Sequence, residues 1–394
     1  MSFEEFAEAV QKPSGRNASQ PMPSLERVAV LGGGADARLV AALCLSHGAR
    51  VALFSAYGAE IRAMKSSSGI VLRGEGPIGT YQIDSQSAPS VKTTAELDVA
   101  VSDADLIVLT GPVHKQRTYS MVLAGHLRDG QVLLIVPGRT MGALETARNL
   151  RVGGNAADVT IVEAQGLPYW IAEEGAVLTL SEARSVAAAS LPGNRPRTMG
   201  ALSRYLPNLE PKKDVLECSF SDGSALVEIP ALMLGGVANP DGMPEMAIGG
   251  VQLEENKTFA ALIGSGHRRI IETLAEERAN VARAFGVRDL PDTDKMIRIH
   301  AGALSGTGRR EIPERESAMG MLRDGVVGSL VPLVSAAGLA NVPVPLTRAM
   351  ITLAGSVLGA DVAAAGRKLS TVGIEAGDIN GARAAIDDIA TGAR

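Results

Sequence analysis

The residues with the clearest chemical capacity form the run Gly32-Gly33-Gly34-Ala35-Asp36-Ala37, which fits G-x-G-x-x-A. In that spacing Gly32 allows a tight turn, Gly34 lets the backbone approach a pyrophosphate, and Ala37 lets a helix pack closely on a strand. A helix starting at Ala35 would offer N–H groups and the positive end of its dipole to the anion. Gly32, Gly34, Ala35 and Ala37 are therefore the expected contacts of a dinucleotide. Nicotinamide dinucleotide is the leading reading; a flavin or nucleoside site and an unliganded glycine turn are the alternatives. Asp36 is unfavourable beside phosphates unless it turns away.

Cofactor preference is read at the end of the second strand, where an NAD site usually carries Asp or Glu for the ribose 2′-OH. Ser55 stands there, with no acid before Glu60. A serine does not repel a 2′-phosphate, and Arg62 and Lys65 follow closely, so NADP is expected ahead of NAD. In open α/β sheets ligands bind beyond the carboxyl ends of the strands. That rule puts Thr110-Gly111-Pro112, Pro137-Gly138-Arg139 and Glu163-Ala164-Gln165 near the cofactor, and makes His114 the histidine closest to it. Arg309-Arg310 closes a Gly/Ser/Thr-rich loop that could present a guanidinium to a carboxylate. Tyr169-Trp170 is read as a substrate-pocket wall or as core. No His/Cys/Asp/Glu cluster has metal-ligand spacing, and no G-x-S-x-G or P-loop occurs, so metal and hydrolase chemistry are poor readings.

Positioning these groups requires alternating strands and helices. Arg27–Leu31, the glycine turn, a helix over 35–47 and Val51–Phe54 make one βαβ unit. Apolar runs at 106–109, 132–136 and 159–162 read as strands buried on both faces, as in a parallel sheet. Helices are expected over 57–66, 94–101, 119–127 and 144–150, with strands at 70–73, 81–83, 177–180 and 185–189. After Arg195 the spacing is helical, at 199–205, 231–234, 258–285, 325–337, 345–358 and 382–389. The expected fold is an α/β Rossmann-type doubly wound parallel sheet domain followed by a mostly α-helical domain. Its limits are a flexible lead-in at 1–25, which carries a short helix through Phe3, Phe6 and Val10, a dinucleotide-binding domain at 26–195 and a helical domain at 205–394.

Composition narrows the class. The chain of 394 residues is 46% hydrophobic and carries a net charge of -5. It shows no basic stripe for nucleic acid. No stretch reaches the roughly 18 uncharged apolar residues of a membrane span. Cys44 and Cys218 are distant and read as buried thiols of a reducing compartment. The acidic N-terminus lacks a secretory signal's basic region, so a cytoplasmic protein is expected. The glycine- and alanine-rich stretches 334–340 and 357–365 would permit a homodimer.

Several segments together resemble the opine dehydrogenase family, which includes octopine and nopaline dehydrogenases. They are Gly32 to Gly48, Asp103-Ala104-Asp105 leading to Pro112 and His114, Leu127-Arg128-Asp129-Gly130-Gln131, and Pro137-Gly138-Arg139-Thr140-Met141-Gly142-Ala143. Glu163 with Leu167-Pro168-Tyr169, Glu277-Arg278-Ala279-Asn280-Val281-Ala282 and Leu330-Val331-Pro332-Leu333 continue the resemblance across most of 27–375. It implies substrate bound between the two domains and NAD(P)H-dependent condensation of a 2-oxo acid with an amine. The cofactor would carry the hydride, and a general acid/base would move a proton at the reacting centre.

The chain departs from that family's pattern at two positions. Glu228 stands where the resemblance implies the catalytic histidine, and Met319 where it implies an arginine; the partner aspartate matches Asp324. A carboxylate pair of Glu228 and Asp324 could move the proton or bind a cationic amine. His114 and His267 are further candidates for the proton, His267 also for an anion beside Arg268, and His300 is a weaker candidate. The favoured reading is an NAD(P)-dependent reductase of a small imine or carbonyl. A carbonyl/alcohol dehydrogenase on the same scaffold and a non-catalytic NADP-binding sensor are the alternatives.

Overall fold

Short apolar runs become strands, and the segments between them coil back over the sheet. A computed structural model of the chain describes residues 23–66, 69–86, 88–193, 195–234, 258–303 and 308–391. The predicted helix through Phe3, Phe6 and Val10 lies outside the described residues. β1 (Arg27–Leu31) and β2 (Arg50–Phe54) flank α1 (Ala35–Ser46). α2 (Gly58–Ser66) leads to β3 (Ile70–Gly74), β4 (Gly79–Ile83) and β5 (Ser90–Thr94). α3 (Leu97–Val101), β6 (Leu106–Thr110), α4 (Val113–Leu123), β7 (Val132–Val136), α5 (Gly142–Val152) and β8 (Thr160–Ala164) continue the alternation. β9 (Ile171–Glu174), β10 (Val177–Leu180), β11 (Val186–Leu191), α6 (Pro196–Leu202) and β12 (Leu209–Pro211) complete the sheet region.

The strand order is β12-β11-β8-β7-β6-β1-β2-β5-β4-β3-β10-β9. The centre, β8-β7-β6-β1-β2-β5, is parallel throughout. β6, β7 and β8 are buried at every position, as strands covered by helices on both faces must be. The chain leaves β1 toward β2 on one side and returns through β6 on the other. This reversal opens the crevice in which doubly wound sheets bind ligands.

Residues 94–101, predicted as helix, are instead the end of β5 followed by the single turn α3. β5 was missed because only Ser90 and Val91 are buried there. Its polar end is held by tertiary bonds, Thr93 N–H and Oγ1 donating to Asp84 at 2.9 and 2.6 Å.

The second half is helical: α7 (Val215–Phe220), α8 (Ser224–Leu234), a 3-10 turn (Phe259–Leu262), α9 (Ser265–Ala284), α10 (Thr293–Ala301), α11 (Arg315–Ala340), α12 (Pro345–Leu358), α13 (Val362–Ala365) and α14 (Ile379–Thr391). The run predicted as one helix over 258–285 divides at Gly264, the N-cap of α9. α11 is long and apolar enough to cross a membrane, yet 72% of its apolar window is buried inside the structure. Ala336 and Ala337, within the first small-residue stretch, pack in the chain's own core.

α11 widens into a π turn over Val326–Leu330. There Gly328 lies against the end of the sheet. A methyl group on it would come within 2.7 Å of Val113 Cγ2 and 3.1 Å of Arg139 Cγ. Gly328 O also accepts the Thr140 N–H at 3.0 Å. Such turns accompany functional sites because they re-aim the residues on either side. Here Asp324 precedes the turn and Ser329 lies within it.

Candidate active site

The glycine turn has the geometry a dinucleotide needs. Gly32 has φ +138°, a backbone region side chains rarely adopt, and a methyl group there would sit 2.5 Å from Thr110 Oγ1. Gly34 ends the turn in extended backbone, with no atom within 4 Å of where its methyl group would be. That open space lies at the N-terminus of α1, whose first turn has no side-chain cap. Ala37 is buried against β1, 3.4 Å from the position of a Gly32 methyl group. The residues present therefore fit a pyrophosphate.

Ser55 is buried, and its hydroxyl donates to Glu60 Oε2 at 2.5 Å. Ser55 Oγ also accepts the Tyr57 N–H at 3.1 Å. Glu60, carried by α2, thereby brings a carboxylate over Gly33, with which a methyl group at that glycine would collide. A carboxylate thus stands beside the strand end, from a residue five positions after Ser55. Lys65 pairs instead with Asp84 at 3.5 Å.

A cleft of about 790 Å³ opens beside the glycine turn. Ala35 and Asp36 line one side, Pro137, Arg139 and Gln165 the floor, and Glu228, Arg310 and Met321 the helical side. Arg139, buried in a left-handed conformation at φ +59°, joins the two halves. Its Nε donates to Asp324 Oδ2 at 3.1 Å, and its Nη1 donates to Ser224 Oγ and lies 3.8 Å from Glu228 Oε2. Glu228 Oε1 accepts from Arg310 Nη1 at 3.0 Å. Glu228 Oε2 is buried without a hydrogen-bond partner. Burial by itself would lower the Arg139 pKa, but Asp324, Glu228 and Asp222 outweigh it and raise it. Burial pushes Arg184 down to about 9, helped by Arg310. Burial also holds His300 well below its usual value, with Arg184 and Arg310 adding to the effect.

The predicted residues divide into those in the cleft and those that brace it. Glu228 lines the cleft. Asp324 braces it: Oδ1 accepts the Val113 N–H at 2.6 Å at the start of α4, and Oδ2 takes Arg139. Thr110 donates to Leu31 O at 3.1 Å, tying β6 to β1. Gly111 has φ +90°, and Pro112 is the N-cap of α4. His114, in the first turn of α4, is exposed and does not line the cleft. Burial lowers its pKa against the opposing charge of Asp324.

Two predicted residues are turned inward. Glu163 is fully buried beneath the loop after β7, accepting from Ala143 N–H at 2.7 Å and Ser219 Oγ at 2.8 Å. Burial raises its carboxyl to about 7. His267 Nδ1 accepts the Gly264 N–H at 3.2 Å inside the core, capping α9 and lining no part of the cleft. Asp36 lines the cleft, where the charges of Arg184 and Arg139 offset the burial that raises its pKa. Arg184 was missed by sequence reasoning. It lies between β10 and β11 without a motif, and its only signal was a lone cation beside an apolar strand.

The fold and the cleft are those of a Rossmann-type, nicotinamide-dependent oxidoreductase with a helical second half. No family model matches the chain. The opine dehydrogenase of Arthrobacter sp. (strain 1C) is 24% identical over 373 residues, 91% of this chain and 98% of that protein. The octopine dehydrogenase of Pecten maximus is 28% identical over 233 residues, 55% of this chain and 56% of that protein. A solved octopine dehydrogenase in complex with NADH and agmatine has the same fold, with TM-score 0.64 and 19% identity over 90% of this chain and 96% of that one. The chain is thus similar over most of its length to opine dehydrogenases, in line with the resemblance of its motifs.

Proposed function

We propose that the chain joins an amine to a 2-oxo acid and reduces the resulting imine to a secondary amine. The observation that carries this reading is Glu228. One of its oxygens is held by Arg310, while the other, 3.8 Å from Arg139 Nη1, is a buried acceptor in the cleft with no hydrogen bond. A carboxylate oxygen so placed fits a substrate N–H, because an acceptor left unpaired costs free energy that a ligand donor recovers. Glu228 holds the amine, takes the proton it sheds while attacking the oxo carbon and passes it to the oxo oxygen, which leaves as water with the second amine hydrogen as the imine forms. A proton drawn from solvent through Glu228 reaches nitrogen during reduction. When bound beside the glycine turn, the nicotinamide supplies the hydride. Arg139 and Asp324 are positioning residues. Arg139 holds Glu228 in register with the sheet, and Asp324 links α11 to the N-terminus of α4.

In this reading residues 26–195 hold the cofactor and residues 205–394 supply Glu228, Asp324 and Arg310. The carboxylate of Glu60 favours NAD(H), since it suits the ribose 2′-OH and repels a 2′-phosphate. The test is NADH oxidation at 340 nm with an amine and a 2-oxo acid, together and singly. A requirement for both supports the reading. Turnover with one carbonyl compound makes the chain a carbonyl reductase, and cofactor binding with no turnover makes it a sensor.

A further inference from the structure

Arg184 is the cleft's cation that makes no close ion pair; Asp36 and Glu228 act on it only from a distance. Among the described residues no carboxylate lies within 4.0 Å of it; its Nη1 donates weakly to Ile299 O at 3.4 Å, and its buried Nε has no hydrogen-bond partner. Its guanidinium carbon lies 3.8 Å from the centre of the Trp170 ring. Arg310 stacks on the same indole at 4.1 Å and on Phe259 at 4.1 Å. Stacking fixes the plane of each guanidinium and turns its N–H edge away from the rings. Arg310 spends Nη1 on Glu228 and on His300 O, while its Nη2 meets only the Met321 sulfur at 3.7 Å.

Two planar cations that share one aromatic ring repel each other, and a guanidinium whose buried Nε has no hydrogen-bond partner is costly. Such an arrangement suits a molecule whose ligand completes it. We infer that Arg184 and Arg310, held on Trp170, form the binding site for a substrate carboxylate, the group that Met319 cannot take. The depressed pKa of Arg184 agrees with an incomplete ion pair. The substrate class is a 2-oxo acid whose carboxylate lies across the two forks while its oxo carbon points to Glu228. This inference rests on the reading of Glu228 as the residue that holds the amine, and it names the group that binds the second substrate.

Trp170 is the chain's single tryptophan, so its fluorescence reports on this site alone. The experiment titrates the full chain with pyruvate and 2-oxoglutarate, and with methyl pyruvate as the uncharged analogue. The expected result is a saturable change in emission with at least one oxo acid and none with methyl pyruvate. Arg184→Gln should weaken it at least ten-fold, and Arg184→Lys should recover part of the loss. If Arg184→Gln does not fold, Arg184→Lys carries the test, since a point charge lacks the fork and should still bind more weakly than wild type. No response to either oxo acid in folded wild type, or equal affinity in the Arg184 variants, overturns the inference. NADH oxidation separates the two readings. If both substrates are required but the oxo-acid KM is unchanged in Arg184→Gln, the carboxylate site falls and the condensation stands. If the titration succeeds but no amine and oxo acid pair oxidises NADH, the condensation falls and the anion site stands.

Discussion

Glu60 offers the sharpest test of how this chain reads its cofactor. Its carboxylate is brought over Gly33 by α2 and oriented by the buried Ser55 hydroxyl at 2.5 Å. A carboxylate accepting from ribose hydroxyls makes charge-assisted hydrogen bonds, each worth about 1.5–3 kcal/mol. The same charge about 4 Å from a 2′-phosphate would cost about 4 kcal/mol per unit charge at an effective dielectric constant of about 20. Glu60 is partly exposed, so solvent screens much of that repulsion. A third of it still gives the ten-fold discrimination that about 1.4 kcal/mol represents. Calorimetric titration of wild type should therefore show NADH binding at least ten-fold tighter than NADPH. Glu60→Ala should weaken NADH by roughly ten- to a hundred-fold and tighten NADPH. Ser55→Ala, which removes only the orienting donor, should shift the ratio less and in the same direction. NADH and NADPH affinities within three-fold of each other in wild type, or an unchanged ratio in Glu60→Ala, would refute the reasoning.

Four further outcomes follow from the geometry. Glu228→Gln should keep the Arg310 contact and NADH affinity but lower kcat/KM of the condensation by about a hundred-fold; a loss under three-fold would remove Glu228 from the chemistry. Arg139→Met strips the buried counter-charge from Asp324 and Glu228, and should cost about 3–5 kcal/mol, lowering Tm by about 5 °C if the chain unfolds as one unit; a Tm within 1 °C of wild type in calorimetry would contradict it. Gly34→Ala, at an open extended position, should leave Tm within about 1 °C and weaken cofactor binding, whereas Gly32→Ala, at φ +138°, should destabilise by about 1–3 kcal/mol; equal Tm losses would undo the distinction. Burial raises the Glu163 carboxyl from 4.5 to about 7, so the native state binds the extra proton. Stability from that group is full below about 4.5 and declines as pH rises through about 7, so Tm measured from pH 5 to 8 should fall less steeply in Glu163→Gln; identical slopes would sink the assignment.

The legible parts of the fold were those specified by short-range pattern. β1, the glycine turn and α1 lie where periodicity and steric demand put them, because a φ of +138° needs glycine whatever surrounds it. β6, β7 and β8 were legible as continuous apolar runs. β5 was not, since its polar residues are strand only through pairing with β2 and β4 and through Asp84. Glu228 and Asp324 came from family resemblance, and periodicity gave no sign that Arg139 would stand between them.

The amino-acid sequence by itself determined the parallel sheet, the dinucleotide turn and the helical second half. Helical and strand periods and glycine's backbone freedom act within a few residues and survive any change of context. Only the tertiary structure decided the site. Arg139 meets Asp324 across 185 residues, and Arg310 meets Glu228 across 82. Arg184 joins Arg310 on one indole although no motif links them. Which charges become partners depends on which surfaces the core brings together, and burial then sets how strongly each charge acts. Glu163 and His267 show the converse: side chains with chemical capacity that packing turned inward, one under the loop after β7 and the other at a helix start.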